Sequence, residues 1–215
     1  DDWRLVLESE ALGRRSVTRL DFDPISATPS VEERLKIKGD AELRSFHYGP
    51  AAAVRVRYHA EPKAHAGRPL ADWREKSRQE QPYGDPNQPP EVTAPASLLY
   101  VLSASALTAT GDRLTIPVFT KGRLVSAVAE VVGVADAGAV SLDGGAAPDT
   151  TWPALRIRVG GRSADGGEVD LDLFGLDGDL EILLDRRHRL PLSIRGKMSV
   201  VGEVDVRLLS ATLAR

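Results

Sequence analysis

The chain has 215 residues, 42% of them hydrophobic and 27% charged, with a formal net charge of -3. That balance suits an ordinary globular protein, and it lacks the basic field that nucleic-acid phosphates demand. There is no cysteine, which excludes disulfides, thiolate nucleophiles and thiolate zinc sites. No apolar run in the sequence is long enough to span a bilayer.

Taken in order, residues 3–8 and 16–22 alternate weakly between apolar and polar side chains and predict a hairpin. A turn-rich break runs from Asp23 to Pro29. Residues 35–39 and 43–48 predict a second pair of strands. The clearest strand of the first half is 53–58. There Val54, Val56 and Tyr58 share one face, and Arg55, Arg57 and His59 share the other.

Residues 60–95 differ in character. Pro62, Pro69, Pro82, Pro86, Pro89, Pro90 and Pro95 punctuate a polar stretch. Inside it, residues 70–80 predict a short exposed helix that carries Trp73. The excursion reads either as a solvated loop or as a lid or docking loop. Residues 95–107 then predict an apolar helix, opened by Pro95 and carrying Leu98, Leu99, Tyr100, Val101, Leu102 and Leu107. Such a helix must be buried, and the oily face of a sheet is its natural partner.

From Leu114 onward the chain reads almost without interruption as antiparallel strands: 114–119, 123–133, 154–159, 168–174, 180–185, 190–198 and 200–213. Turn signals at Thr110 to Asp112, Lys121-Gly122, Ser163 to Gly167 and Gly178-Asp179 separate them. With a hairpin tip near residues 164 and 165, Arg156 and Arg158 would face Asp170 and Asp172. The expectation is one domain, 1–215, with the Pro-rich excursion at 60–95. Its fold is mainly β: a single antiparallel barrel or half-barrel of about ten to twelve strands, with one or two helices packed on or across it.

The chemistry that a sequence can announce is sparse. His47, His59, His65 and His188 show no zinc-helix spacing. His47 and His59 could share a sheet face, but the expectation is no metal and no cofactor. The run Asp177, Asp179, Glu181 departs from a calcium loop, because Ile182 stands where glycine is needed and His188 where the bidentate glutamate belongs. No nucleophile elbow, phosphate-binding loop or dinucleotide fingerprint occurs. Aromatic residues are 5% of the chain, too few for a stacked glycan platform.

Across residues 95–213 the order of features is distinctive. The apolar helix with Leu99-Tyr100 precedes a Gly-Asp turn, then Ile116 to Val118 and the Lys121-Gly122 hairpin. Strands with Leu155 to Ile157 and Leu180 to Leu184 follow. The close is Asp185 to Arg195, with Arg189, Leu190 and Pro191 after an aspartate-bearing turn, and Val201 to Leu208, in which Gly202 opens the last strand. This part of the chain resembles the domain of unknown function 3108 family of exported bacterial proteins. The resemblance implies a periplasmic or secreted, largely β, barrel-like protein of the cell envelope, its signal peptide removed. It implies no reaction.

The leading expectation is therefore a non-enzymatic exported β-barrel-like protein that binds an apolar ligand such as a lipid, or an envelope partner. The residues expected to line a ligand cavity are Val54, Val56, Tyr58, Leu99, Tyr100, Leu102, Phe119, Leu155 and Ile157, which would otherwise fill a core. Trp73, Arg186, Arg187, His188 and Arg189 are the expected partner contacts. Two alternatives remain: a scaffold protein acting through the 60–95 loop, and an envelope polysaccharide-processing enzyme using paired carboxylates.

Overall fold

The computed structural model describes residues 2–11, 14–38, 40–60, 72–84, 91–138, 140–143, 151–198, 202–208 and 210–211. The remainder of the 60–95 excursion (61–71 and 85–90) and the end of the last expected strand (212–213) lie outside the described residues. The chain divides into two compact units, residues 1–97 with 119–124, and residues 98–118 with 125–215.

The first unit is built on β1 (Trp3–Ala11), β2 (Arg14–Phe22), β3 (Pro29–Ile37), β4 (Ala41–Tyr48), β5 (Ala52–Ala60) and β6 (Arg74–Pro82). These form a six-stranded antiparallel meander in sequence order. Between β2 and β3 the Asp23 carboxylate accepts the Ile25 N–H at 2.9 Å and the Ser26 hydroxyl at 2.8 Å, closing an Asx-type turn. Register sets Val17, Leu35, Leu43 and Tyr58 side by side across four strands. The same sheet face gathers Ala41, Leu43, Ala60 and Trp73, with Leu35, Ile37 and Tyr58 packed against them. On the opposite face Arg34, Arg44 and Arg57 stand in one row. Like charges in such a row repel. Here Glu32 binds Arg34 at 2.8 Å, and Glu42 binds Arg44 at 2.6 Å and Arg57 at 2.9 Å.

The helix expected over 70–80 is instead β6. Its sequence, rich in Glu, Lys, Arg and Gln, has high helix propensity but no apolar face for a helix to bury. As an edge strand it needs none, and its charges discourage further pairing. Trp73, expected on an exposed helix, is 8% exposed and folds onto the first sheet.

The second unit begins at α1 (Leu98–Ala104), after a 3-10 turn over Pro95–Ser97. It continues through β7 (Arg113–Thr120), β8 (Arg123–Ala137), β9 (Ser141–Leu142), β10 (Trp152–Arg162), β11 (Glu168–Val169), β12 (Asp177–Asp185), β13 (Pro191–Met198), β14 (Gly202–Arg207) and β15 (Ser210–Ala211). The main sheet has the order β14-β13-β12-β10-β8-β7, with β11 added to β10. Lys121 and Gly122 both adopt positive φ, 51° and 79°, as a two-residue hairpin turn between β7 and β8 requires. Each large sheet ends in two edge strands, so neither closes on itself among the described residues. One pair, β9 with β15, is parallel, unlike the uniformly antiparallel pattern expected.

The core of this unit follows from period-two patterning. Along β10, Leu155, Ile157 and Val159 point inward while Arg156, Arg158 and Arg162 point outward. Leu98, Leu99 and Leu102 of α1 join these residues in one cluster with Ile116, Val131, Leu180, Ile182, Leu184 and Ile194, among others. Burying each such side chain contributes about 1.5–3 kcal/mol.

The expected strand 168–174 survives only as β11. Beyond it Leu171, Leu173 and Leu176 turn into the core, exposed by 1%, 0% and 2%. Leu173 and Leu176 exchange two backbone hydrogen bonds of 3.0 Å around Phe174-Gly175, both at positive φ. This places β12 rather than 168–174 against the middle of β10. The outward arginines therefore face Glu181, not Asp170 and Asp172: Arg158 is opposite it in register, and Arg156 Nε lies 3.8 Å from its carboxylate. No described helix is long and apolar enough to cross a membrane.

Candidate functional site

The second unit carries a cleft of about 660 Å3, lined by Val140, Leu142, Trp152, Pro153, Asp185, Arg186, Arg187 and His188. Its base is the turn between β12 and β13. There the Leu190 carbonyl accepts the Asp185 N–H at 2.8 Å, and the Asp185 carbonyl accepts the Arg189 N–H at 3.1 Å. Arg189 takes the left-handed conformation, φ 59°, that closes this loop. Asp185 is 2% exposed, and its carboxylate accepts the His188 backbone N–H, as an N-cap aspartate does for a helical turn. The same oxygen lies 3.0 Å from His188 Nδ1. That contact fixes the ring and leaves Nε2 as the imidazole's remaining polar atom.

The opposite wall is apolar. β9 supplies Leu142, and β10 opens with Trp152 and Pro153. The Trp152 and His188 rings lie 5.4 Å apart, tilted by 42°. Val140 and Trp152 also belong to a small apolar cluster with Ala137, Ala154 and Leu192. The Arg186 backbone N–H donates to the Pro153 carbonyl at 3.2 Å and ties the turn to the start of β10. The β9 edge of the wall is held by the parallel pairing with β15, and the Asp143 N–H donates to the Ala211 carbonyl at 2.9 Å.

Arg186 and Arg187 are exposed at the cleft. Among the described residues neither guanidinium has a carboxylate within ion-pair distance. The site thus combines a greasy half with a cationic half. That combination suits a ligand with an apolar body and an anionic end.

Arg189, grouped with its neighbours from sequence, points elsewhere. Its guanidinium donates to the carbonyls of Leu102 (3.0 Å), Ser103 (3.2 Å), Ser105 (3.0 Å) and Leu107 (2.8 Å). These are carbonyls at and just past the end of α1, where a helix leaves acceptors unsatisfied and favours a cation. Burial weakens the proton affinity of the guanidinium, and nearby Asp185 partly restores it.

The residues expected to line an apolar cavity are distributed differently. Leu99, Leu102, Leu155 and Ile157 belong to the core of the second unit. Phe119 packs with Tyr83, Ala53 and Val92 in the first. Val56 is fully buried, whereas Val54, Tyr58 and Tyr100 are half-buried. None of the nine lines the cleft. His47 pairs with Val54 and His59 with Glu42 in register, so the two histidines stand about 17 Å apart along the ladder. Among the described residues no cluster of three or more His, Asp or Glu is placed to hold a metal.

Sequence reasoning singled out the basic turn but not its greasy counterpart. The available signal was Trp152-Pro153, a large ring and a rigid residue at the start of a strand. Comparison with known proteins adds no guide: no family model, curated protein or solved structure matches the chain.

Proposed function

We propose that this chain is an exported, non-enzymatic binding protein whose ligand is an anionic amphiphile held in the cleft at Trp152 and His188. The observation that carries this reading is the pairing of an apolar wall with two guanidinium groups that have no carboxylate partner among the described residues. An acyl or aromatic body would lie along Val140, Leu142, Trp152 and Pro153, with its carboxylate or phosphate on Arg186 and Arg187. The envelope location and the half-barrel wrapped around α1 rest on the resemblance of residues 95–213 to the domain of unknown function 3108 family. The gathering of α1 with the inward faces of β7, β8, β10, β12 and β13 supports that curvature.

The Asp185–His188 pair orients an imidazole as a catalytic dyad would. Among the described residues, however, no serine or threonine hydroxyl hydrogen-bonds to His188, so the geometry favours binding. The test is a titration followed by tryptophan fluorescence in a Trp3→Phe, Trp73→Phe background, where Trp152 is the reporter, comparing a long-chain fatty acid with the alcohol of equal chain length. The acid should bind at least tenfold tighter, and Arg186→Gln with Arg187→Gln should remove the preference. Equal binding of acid and alcohol, or no binding of either, would overturn the reading.

A further inference from the structure

The four edges of the two large sheets are not equally guarded against pairing with another strand. β6 is a run of charged and polar residues ending in Pro82. β7 carries Pro117, and β14 is only six residues long, with Glu203, Asp205 and Arg207 along it. Such features are how sheets avoid edge-to-edge association. β1 carries charges as well, at Arg4, Glu8 and Glu10, but has neither of the other two guards, a proline or a short length. It is nine residues long, lacks proline, and among the described residues pairs with β2 alone. Trp3 and Val6 on it are 55% and 48% exposed.

We propose that β1 is a homodimer edge, pairing antiparallel with β1 of a second copy about a two-fold axis at Val6. The sequence is self-complementary about that centre. Arg4 falls opposite Glu8 of the second copy, Leu5 opposite its Leu7, and Val6 opposite its Val6. Neighbouring registers fail: centring on Leu5 sets Asp2 against Glu8, and centring on Leu7 sets Val6 against Glu8. Opposite charges and apolar pairs placed directly across strands stabilise a ladder, and a carboxylate set against an aliphatic side chain does not. Within one copy Arg4 already meets Asp21 at 2.6 Å and Glu8 meets Arg15 at 3.1 Å. Dimerisation would join them into an alternating network Asp21–Arg4–Glu8–Arg15 on each side of the axis. The interface is isologous, as a closed two-fold dimer requires. It continues the six-stranded sheet of one copy into that of the other.

The absence of cysteine from the chain makes the register testable. Directly opposed residues in an antiparallel pair have Cα atoms about 4.5–5.5 Å apart, inside the range a disulfide bridges. Under mild oxidation the full chain carrying Val6→Cys should form a covalent dimer. Arg4→Cys and Glu8→Cys should each stay largely unlinked alone and cross-link when mixed. In sedimentation the unmodified chain should reach twice its 23.2 kDa mass, and Val6→Lys, with two ammonium groups opposed, should weaken association by about tenfold or more. A monomer at all concentrations, or a dimer that Val6→Lys leaves unchanged and Val6→Cys does not link, would overturn the proposal.

Discussion

Replacing Arg189 by alanine should destabilise the second unit by about 1–3 kcal/mol. One guanidinium serves four carbonyls at the end of α1. Hydrogen bonds from a charged donor contribute about 1.5–3 kcal/mol each, but four bonds from one side chain are not additive. The better basis is what is left behind. Leu107 is 3% exposed, so water cannot replace the lost donor at its carbonyl; the Leu102 carbonyl keeps the Ser105 hydroxyl at 2.7 Å, and half-buried Ser103 and Ser105 can be rehydrated. One stranded acceptor at roughly 1–3 kcal/mol gives the stated loss. Arg189→Gly should cost about 1 kcal/mol less than Arg189→Ala, because glycine relieves the positive φ at this position. Arg189→Lys should recover only part of the loss, since an ammonium lacks the planar fork that spans several acceptors. Urea unfolding followed by tryptophan fluorescence in a Trp3→Phe, Trp73→Phe background leaves Trp152 as the reporter of this unit, and the midpoint of thermal melting should fall by about 5 °C. A loss under about 1 kcal/mol, or a lysine variant as stable as the parent, would mean that the helix end is satisfied without the guanidinium.

Two further outcomes follow from burial and steric fit. Burial pushes the Tyr83 hydroxyl up to about 12 from its usual 10. A raised folded-state value stabilises below pH 10 and is lost as pH climbs toward 12, so unfolding should set in across that window and coincide with tyrosinate absorbance. Because this buried hydroxyl has no hydrogen-bond partner among the described residues, Tyr83→Phe should leave neutral-pH stability unchanged or slightly raised and should blunt the alkaline loss. At Gly161 a Cβ would sit 2.3 Å from the Val169 carbonyl oxygen. Gly161→Ala should therefore cost about 1–3 kcal/mol and speed amide exchange at Val169, whereas an unchanged exchange rate would contradict the close packing of β11 on β10.

How far the sequence could be read depended on whether a residue's neighbours lie along the chain or across it. Alternation in 154–159 and 180–185 makes β10 and β12 legible, because one face of each strand is buried and the other wet. The helix at 98–104 is legible from its leucines, which must be covered. β6 was illegible because an edge strand carries no hydrophobic period, and its side chains are the ones helices favour. The strand expected over 168–174 stops at β11, because the leucines beyond it bury themselves in a small turn instead of extending a ladder. The cleft draws on residues 140–142, 152–153 and 185–188, which come together only because β12 pairs with β10. No local pattern encodes that pairing. Arg189 shows the converse: a run of basic residues looks uniform in sequence, while the backbone sends one of them inward and its neighbours outward.

The tie between β9 and β15 has a mechanical consequence. Leu142, which forms part of the apolar wall of the cleft, and Ala211 are rungs of the same short ladder. Two parallel rungs are a weak clasp, so tension on β15 is carried directly to the rim of the cleft. On the function proposed above, such tension would weaken ligand affinity without touching either Arg186 or Arg187.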